Sequence, residues 1–182
     1  LAAFNSAQVA VFNSAQLGAI ETTDISALNT NAVRALATDA LAGLTTDQVV
    51  ALNSAQIGAL TTAQSAALNT AQAAAIQTSD ISALSTAAVR TLTTAAVAAL
   101  GTDQINAMNT AQVAALSSNQ VQALTSAQVA ALESTDLAAM NSAQVAILNS
   151  AQIAAIETTD IGALNTDHKS AVKAKGVNLG GG

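Results

Sequence analysis

The chain of 182 residues has eleven acidic and five basic side chains, a net charge of −6, two phenylalanines and no cysteine, proline, tryptophan or tyrosine. Disulfides and thiolate chemistry are excluded. With Arg34 and Arg90 as the only cations between Phe4 and Asp167, no face can neutralise the phosphates of a nucleic acid.

From Phe4 onward, every eighth residue is large and apolar: Phe4, Phe12, Ile20, Leu28, Leu36 and so on to Ile156, Leu164 and Val172, with no insertion or deletion. Twenty-one octads therefore cover Phe4 to Ala171. Counting that residue as position 1, position 3 is Ser or Thr throughout, from Ser6 and Ser14 to Thr158 and Thr166. Position 5 is mostly Gln (Gln8, Gln48, Gln112), otherwise Asp, Ala or, once, His168. Position 6 is Val, Ile or Leu except at Ser65, Ala73 and Lys169, and position 8 is Ala except at Val11, Gly43, Thr91 and Ile147. A longer period overlies this one. Asp24, Asp80 and Asp136 recur every 56 residues, as do Arg34 and Arg90. Block duplication of seven octads and a superhelical period of seven octads both account for it.

One continuous helix does not fit, because eight residues leave a drift of ~80° per repeat and scatter the apolar residues round the axis. A strand does not fit either, since alternation is missing and Ala and Gln dominate. A short helix and a corner in each octad fits every position. The hydroxyl at position 3 is expected to cap the helix N-terminus, with Asp24, Asp39, Asp47, Asp103 and Asp160 in the first turn, where the helix dipole favours negative charge. The frequent Asn at position 2 (Asn13, Asn53, Asn141) suits a left-handed helix end. A second phase places the cap at position 2 and makes Gln at position 5 the partner of a capping box. Helices of about six residues are unstable alone, so Leu at position 1 and Val at position 6 must stack on neighbours while Ala at position 8 admits close backbone approach. The expected fold is all-α: a tight solenoid of very short capped helices, one per octad, over 1–171, with a C-terminal cap or Gly-rich tail over 172–182.

The octads resemble the "LTTAQVAAL" runs of very large repeat-rich bacterial proteins that are secreted and adhesin-like. The resemblance spans Phe4 to Ala171, implies an extracellular or cell-surface structural role, and transfers no catalytic residue. Separately, Leu44 to Leu52 is similar to the first helix of the repeats in transcription-activator-like effectors. The base-reading loop and basic residues of those repeats are missing, so no function carries over.

The search for chemistry yields no catalytic, cofactor or metal site. His168, the one histidine, sits between Asp167 and Lys169 and is expected to be exposed, as a polar position-5 residue. Without a second histidine or a cysteine nothing activates the hydroxyl column as nucleophiles; glycan attachment is a minor alternative for it. The pairs Glu21/Asp24, Glu133/Asp136 and Glu157/Asp160 supply fewer oxygens than a calcium loop gathers and read as dipole complement and solubility. The Gln column reads as a structural ladder, bonding between coils or capping helix starts, with a binding face as the alternative. Lys169, Lys173, Lys175 and the glycines Gly176 and Gly180 to Gly182 break the pattern as a closing cap or a linker.

No charged leader precedes an apolar core, and no run approaches the ~18 apolar residues of a membrane span. The chain opens near repeat phase at Leu1 and reads as a piece of something longer, whose uncapped end is suited to docking on another subunit. The sequence thus predicts a non-catalytic stalk or filament subunit that self-associates end to end. The alternative is an adhesin or scaffold that recognises a protein, glycan or ice through a regular Gln/Thr face.

Overall fold

The protein is described here by a computed structural model covering residues 3–156 and 158–175. Leu1, Glu157 and the tail glycines from Gly176 on lie outside the described residues. Every described element is an α-helix, and each starts at position 3 of its octad. Two compact units divide the chain, Leu1–Leu100 and Gly101–Gly182.

The first unit holds α1 (Ser6–Val9), α2 (Ser14–Gly18), α3 (Thr22–Ser26), α4 (Thr30–Ala35), α5 (Thr38–Leu41) and α6 (Thr46–Val50). It continues with α7 (Ser54–Gly58), α8 (Thr62–Ala67), α9 (Thr70–Ala75), α10 (Thr78–Ile81), α11 (Thr86–Thr91) and α12 (Thr94–Ala99). The second unit holds α13 (Thr102–Asn106), α14 (Thr110–Ala115), α15 (Ser118–Ala123), α16 (Ser126–Ala130) and α17 (Ser134–Ala139). It ends with α18 (Ser142–Ile147), α19 (Ser150–Ala154), α20 (Thr158–Ala163) and α21 (Thr166–Lys173).

Each octad turns its corner with two extended residues. Leu68 (φ −62°, ψ 128°) ends α8 and Asn69 (φ −80°, ψ 171°) opens α9. The cap is therefore at position 2, one residue before the invariant hydroxyl, and the expectation of capping at position 3 is corrected. The side-chain oxygens of Asn53, Thr61 and Asn69 accept the backbone N–H three residues on. Asn, Thr and Ser all do this well, so those three letters are interchangeable in the column, whereas Glu21, Ala37, Gln77, Gly101 and Glu133 stand at the same position and give no side-chain cap. The Asn residues at position 2 are extended N-caps, not left-handed helix ends, as at Asn13 (φ −93°, ψ 172°).

Within each unit a helix packs on the one three octads later: α1 on α4, α2 on α5 and α9 on α12 in the first, α14 on α17 and α18 on α21 in the second. The long-range side-chain hydrogen bonds run between residues 25 to 31 apart, as in Ser6 to Asn31 and Gln48 to Leu17, and 28 falls at the middle of that range. Gln48 reaches the corner between the third and fourth octads before its own, at Leu17 and Ile20, so one coil holds between three and four octads.

Position 1 and position 6 form the core. Leu28, Leu36, Leu44, Val33, Ile57 and Val97 are all buried. Positions 7 and 8 are where coils touch most closely. A Cβ on Gly43 would stand 2.3 Å from the Ser14 carbonyl oxygen and 2.6 Å from its Cα, whereas one on Gly162 would meet nothing within 4 Å. Gly43→Ala is expected to destabilise the protein by about 1–3 kcal/mol through overpacking against rigid backbone. Gly162→Ala, in α20 and facing open space, should instead stabilise by about 0.5–1 kcal/mol. Urea unfolding of the two variants beside the parent checks both signs.

Candidate functional site: the glutamine column

The first helical position of each octad places position 5 at N3, three residues after the cap. From N3 a Gln side chain reaches back to the cap's own N–H. The Oε1 atoms of Gln56, Gln64 and Gln72 accept from the backbone of Asn53, Thr61 and Asn69 at 2.9, 2.9 and 3.1 Å. Together with the cap oxygen this completes a capping box. The Nε2 amide then points the other way, into the preceding coil. Gln56 donates to the carbonyls of Ile25 (2.9 Å) and Leu28 (2.8 Å), and Gln64 to Val33 (2.7 Å) and Leu36 (2.8 Å). Gln72 reaches Leu41 and Leu44 in the same manner, and in the second unit Gln152 reaches Val121 and Leu124.

These acceptors sit where a helix has ended and the apolar corner has buried its carbonyls, groups that lack an intrahelical donor and are costly to leave unmet. One planar amide therefore satisfies a helix start in one coil and a helix end in the coil before. Gln48, Gln56, Gln64, Gln72, Gln112 and Gln152 are at most 2% exposed. Both structural roles expected of the column hold together, and these buried amides offer no binding face.

Where position 5 is Asp, the second half of the bridge is lost. Ser54 donates its hydroxyl to Asp80, and Ser134 to Asp160, from the position-3 column three octads earlier. Asp136 accepts from the Thr110 hydroxyl and the Glu133 backbone N–H. Burial pushes the Asp136 carboxyl above the ordinary carboxylate range, with the like charge of Glu133 adding to the rise and those two hydrogen bonds opposing it. Asp24, in the first coil, is exposed.

The remaining candidates stand apart from one another. His168 is 1% exposed, which corrects its expected exposure: it fills the Gln position of α21, where packing rather than polarity decides burial. Its Nε2 lies 3.4 Å from Asn165 Nδ2, and its Nδ1 is buried with no hydrogen-bond partner. Ser65, in the place of a core Val, likewise buries a hydroxyl with no partner. Arg34 and Arg90 are exposed. An open cleft of about 440 Å³ is lined by Asn106, Leu132, Glu133, Ser134 and Asp160, but Asn106 Nδ2 already donates to the Ala131 carbonyl and Ser134 to Asp160. Among the described residues no three His, Asp or Glu side chains gather as metal ligands. No described helix is long and apolar enough to cross a membrane.

The sequence match follows the same geometry. A family model described as the ALTTAQ repeat matches residues 17–54, 73–110, 105–132 and 129–166. The chain belongs to the ALTTAQ repeat family. Its signature letters stand at Ala59, Leu60, Thr61, Thr62, Ala63 and Gln64, where Leu60 is buried, Thr61 is the cap and Gln64 is the bridge. The ALTTAQ matches beginning at 17, 73 and 129 are 56 residues apart, the period of Asp24, Asp80 and Asp136. No curated protein and no solved structure matches the chain.

Two outcomes test this account of the ALTTAQ glutamine. Gln56→Glu keeps the acceptor for Asn53 but removes the donor and sets a charge against the Ile25 and Leu28 carbonyls. It should cost roughly 2–4 kcal/mol at neutral pH, and less in acid where the protonated carboxyl donates again. Asp136, a buried carboxyl of the parent, has the same pH dependence. Its folded pKa is raised, so the folded state holds the proton more tightly, and stability increases as pH falls through the folded pKa towards the unfolded one. Asp136→Asn should be more stable than the parent at neutral pH, and the difference should vanish in acid. Denaturant midpoints of variant and parent across pH measure it.

Proposed function

We propose that this ALTTAQ protein is a non-catalytic structural element, a stalk, spacer or filament subunit that works at the cell surface or outside the cell. The observation that carries the reading is the fate of the Gln column. The position-5 glutamines from Gln48 to Gln152 are buried, and amides such as that of Gln56 are consumed in joining one coil to the next. A coil built this way adds length with each octad and presents mostly small, uncharged residues to solvent. Stacking of coils is also the means by which separate copies would join end to end. The surface location rests on the likeness of the octads to those of secreted, adhesin-like bacterial proteins.

The exposed hydroxyl pairs Thr45/Thr46 and Thr61/Thr62 favour a second reading, a scaffold whose Thr-bearing face binds a protein or glycan. Negative-stain electron microscopy with circular dichroism on the same sample separates the two. Helical rods that lengthen with protein concentration are the expected result. Short rods of constant length that retain a glycan or protein on a column would replace the first reading with the second.

A further inference from the structure

In the second unit α17 packs on α14 and on α20, and its joint with α14 is not made as the glutamine joints are. The glutamine position of α17 is Asp136, 4% exposed. Its carboxylate accepts from the Glu133 backbone N–H, as the Gln Oε1 atoms accept from their caps, and from the hydroxyl of Thr110 at the start of α14. What it lacks is a donor. Gln144 and Gln152, in the same unit, donate to the position-1 carbonyls 28 residues earlier, those of Leu116 and Leu124, each at 2.7 Å. The carbonyl in the same relation to Asp136 belongs to Met108, a residue only 5% exposed. Among the described residues no donor reaches it, and an ionised carboxyl has acceptors alone to offer.

The charges around this joint are of one sign. α14 carries no titratable group. α20 carries Asp160, half-buried and bonded to the Ser134 hydroxyl. The cap residue of α17 is Glu133, exposed and without a side-chain cap bond. None of the three helices bears a cation, so within the joint only a proton neutralises Asp136.

We infer that Asp136 is a proton-operated clasp between α14 and α17. With the proton, the carboxyl O–H donates to the Met108 carbonyl and closes the joint as a Gln amide does elsewhere. Without it, a carboxylate is set against an unmet carbonyl and α17 loosens from α14. Burial holds the folded carboxyl above its ordinary range, so the closed joint is favoured below the folded pKa and is lost as pH rises through it. The response is local, because Gln144 and Gln152 fasten their own joints with amides that do not titrate. The clasp does not depend on the stalk or the scaffold reading; under either, it makes the firmness of one coil follow the acidity of the surroundings.

The test is amide hydrogen exchange of the folded full chain, read by mass spectrometry and corrected for the intrinsic effect of pH on exchange. On acidification from neutral pH, protection over α17 is expected to rise about tenfold, while that of α18 and α19 holds. Asp136→Asn keeps the acceptor for Glu133 and adds a permanent donor, so α17 should be well protected at every pH. Asp136→Ala removes charge and donor together, as at Ala88 and Ala96, where the fold accommodates alanine; α17 should then be poorly protected at every pH. Glu133→Gln should leave the parent's pH dependence in place. Protection of α17 that ignores pH in the parent overturns the clasp. So does an Asp136→Ala variant as well protected as Asp136→Asn, because loss of charge and not a donated bond then closes the joint. A pH dependence that disappears in Glu133→Gln overturns it too, by moving the titration to Glu133.

Discussion

The structure depends on one constraint: a helix of five or six residues leaves more of its backbone groups unmet than met. The first N–H groups and the last C=O groups of an α-helix lack internal partners, and here those ends follow one another every eight residues. Side-chain caps at position 2 settle part of the start. The buried end carbonyls cannot turn to water, because the Leu that forms the corner carries them inside. The Gln amide, with its acceptor on one coil and its donors on another, is the group that makes so short a helix tolerable. Leu and Val supply the burial, but Gln decides that burial occurs in this register.

Position 5 also shows what happens when that group changes. Ala88 and Ala96 keep the cap and drop the bridge. Asp80 and Asp136 trade the bridge for a hydroxyl partner and leave a carboxyl buried among apolar neighbours. His168 keeps the burial with an unpartnered ring nitrogen. Departures from Gln thus change the joint between coils in different ways; Asp24, Asp80 and Asp136 fall at the 56-residue period, and Asp160 does not.

Much of this was legible in the octad itself. The period excludes a continuous helix, and the Leu and Val columns identify the core. The misplacement of the cap has a simple origin. The column that never leaves Ser and Thr seemed the natural cap, yet N-capping accepts Asn as readily as a hydroxyl, so the true cap hides as Asn13, Thr61 and Ser117. The capping-box spacing to Gln was the signal that could have ranked the two phases. The coil size was not legible, because it is set by how Gln56 reaches Leu28, a contact between residues 28 apart with no counterpart within one octad. The burial of His168 was hidden for the same reason: its polarity argues for the surface, and only the coil around α21 argues otherwise.

Coils of three to four octads give each unit a frame of its own. Adding a single octad within a unit would carry every later side chain about a quarter to a third of a turn round the axis, moving a carboxylate or arginine to another face. A protein of this kind can change its length by one octad at a time, but each such change also turns the faces that it presents.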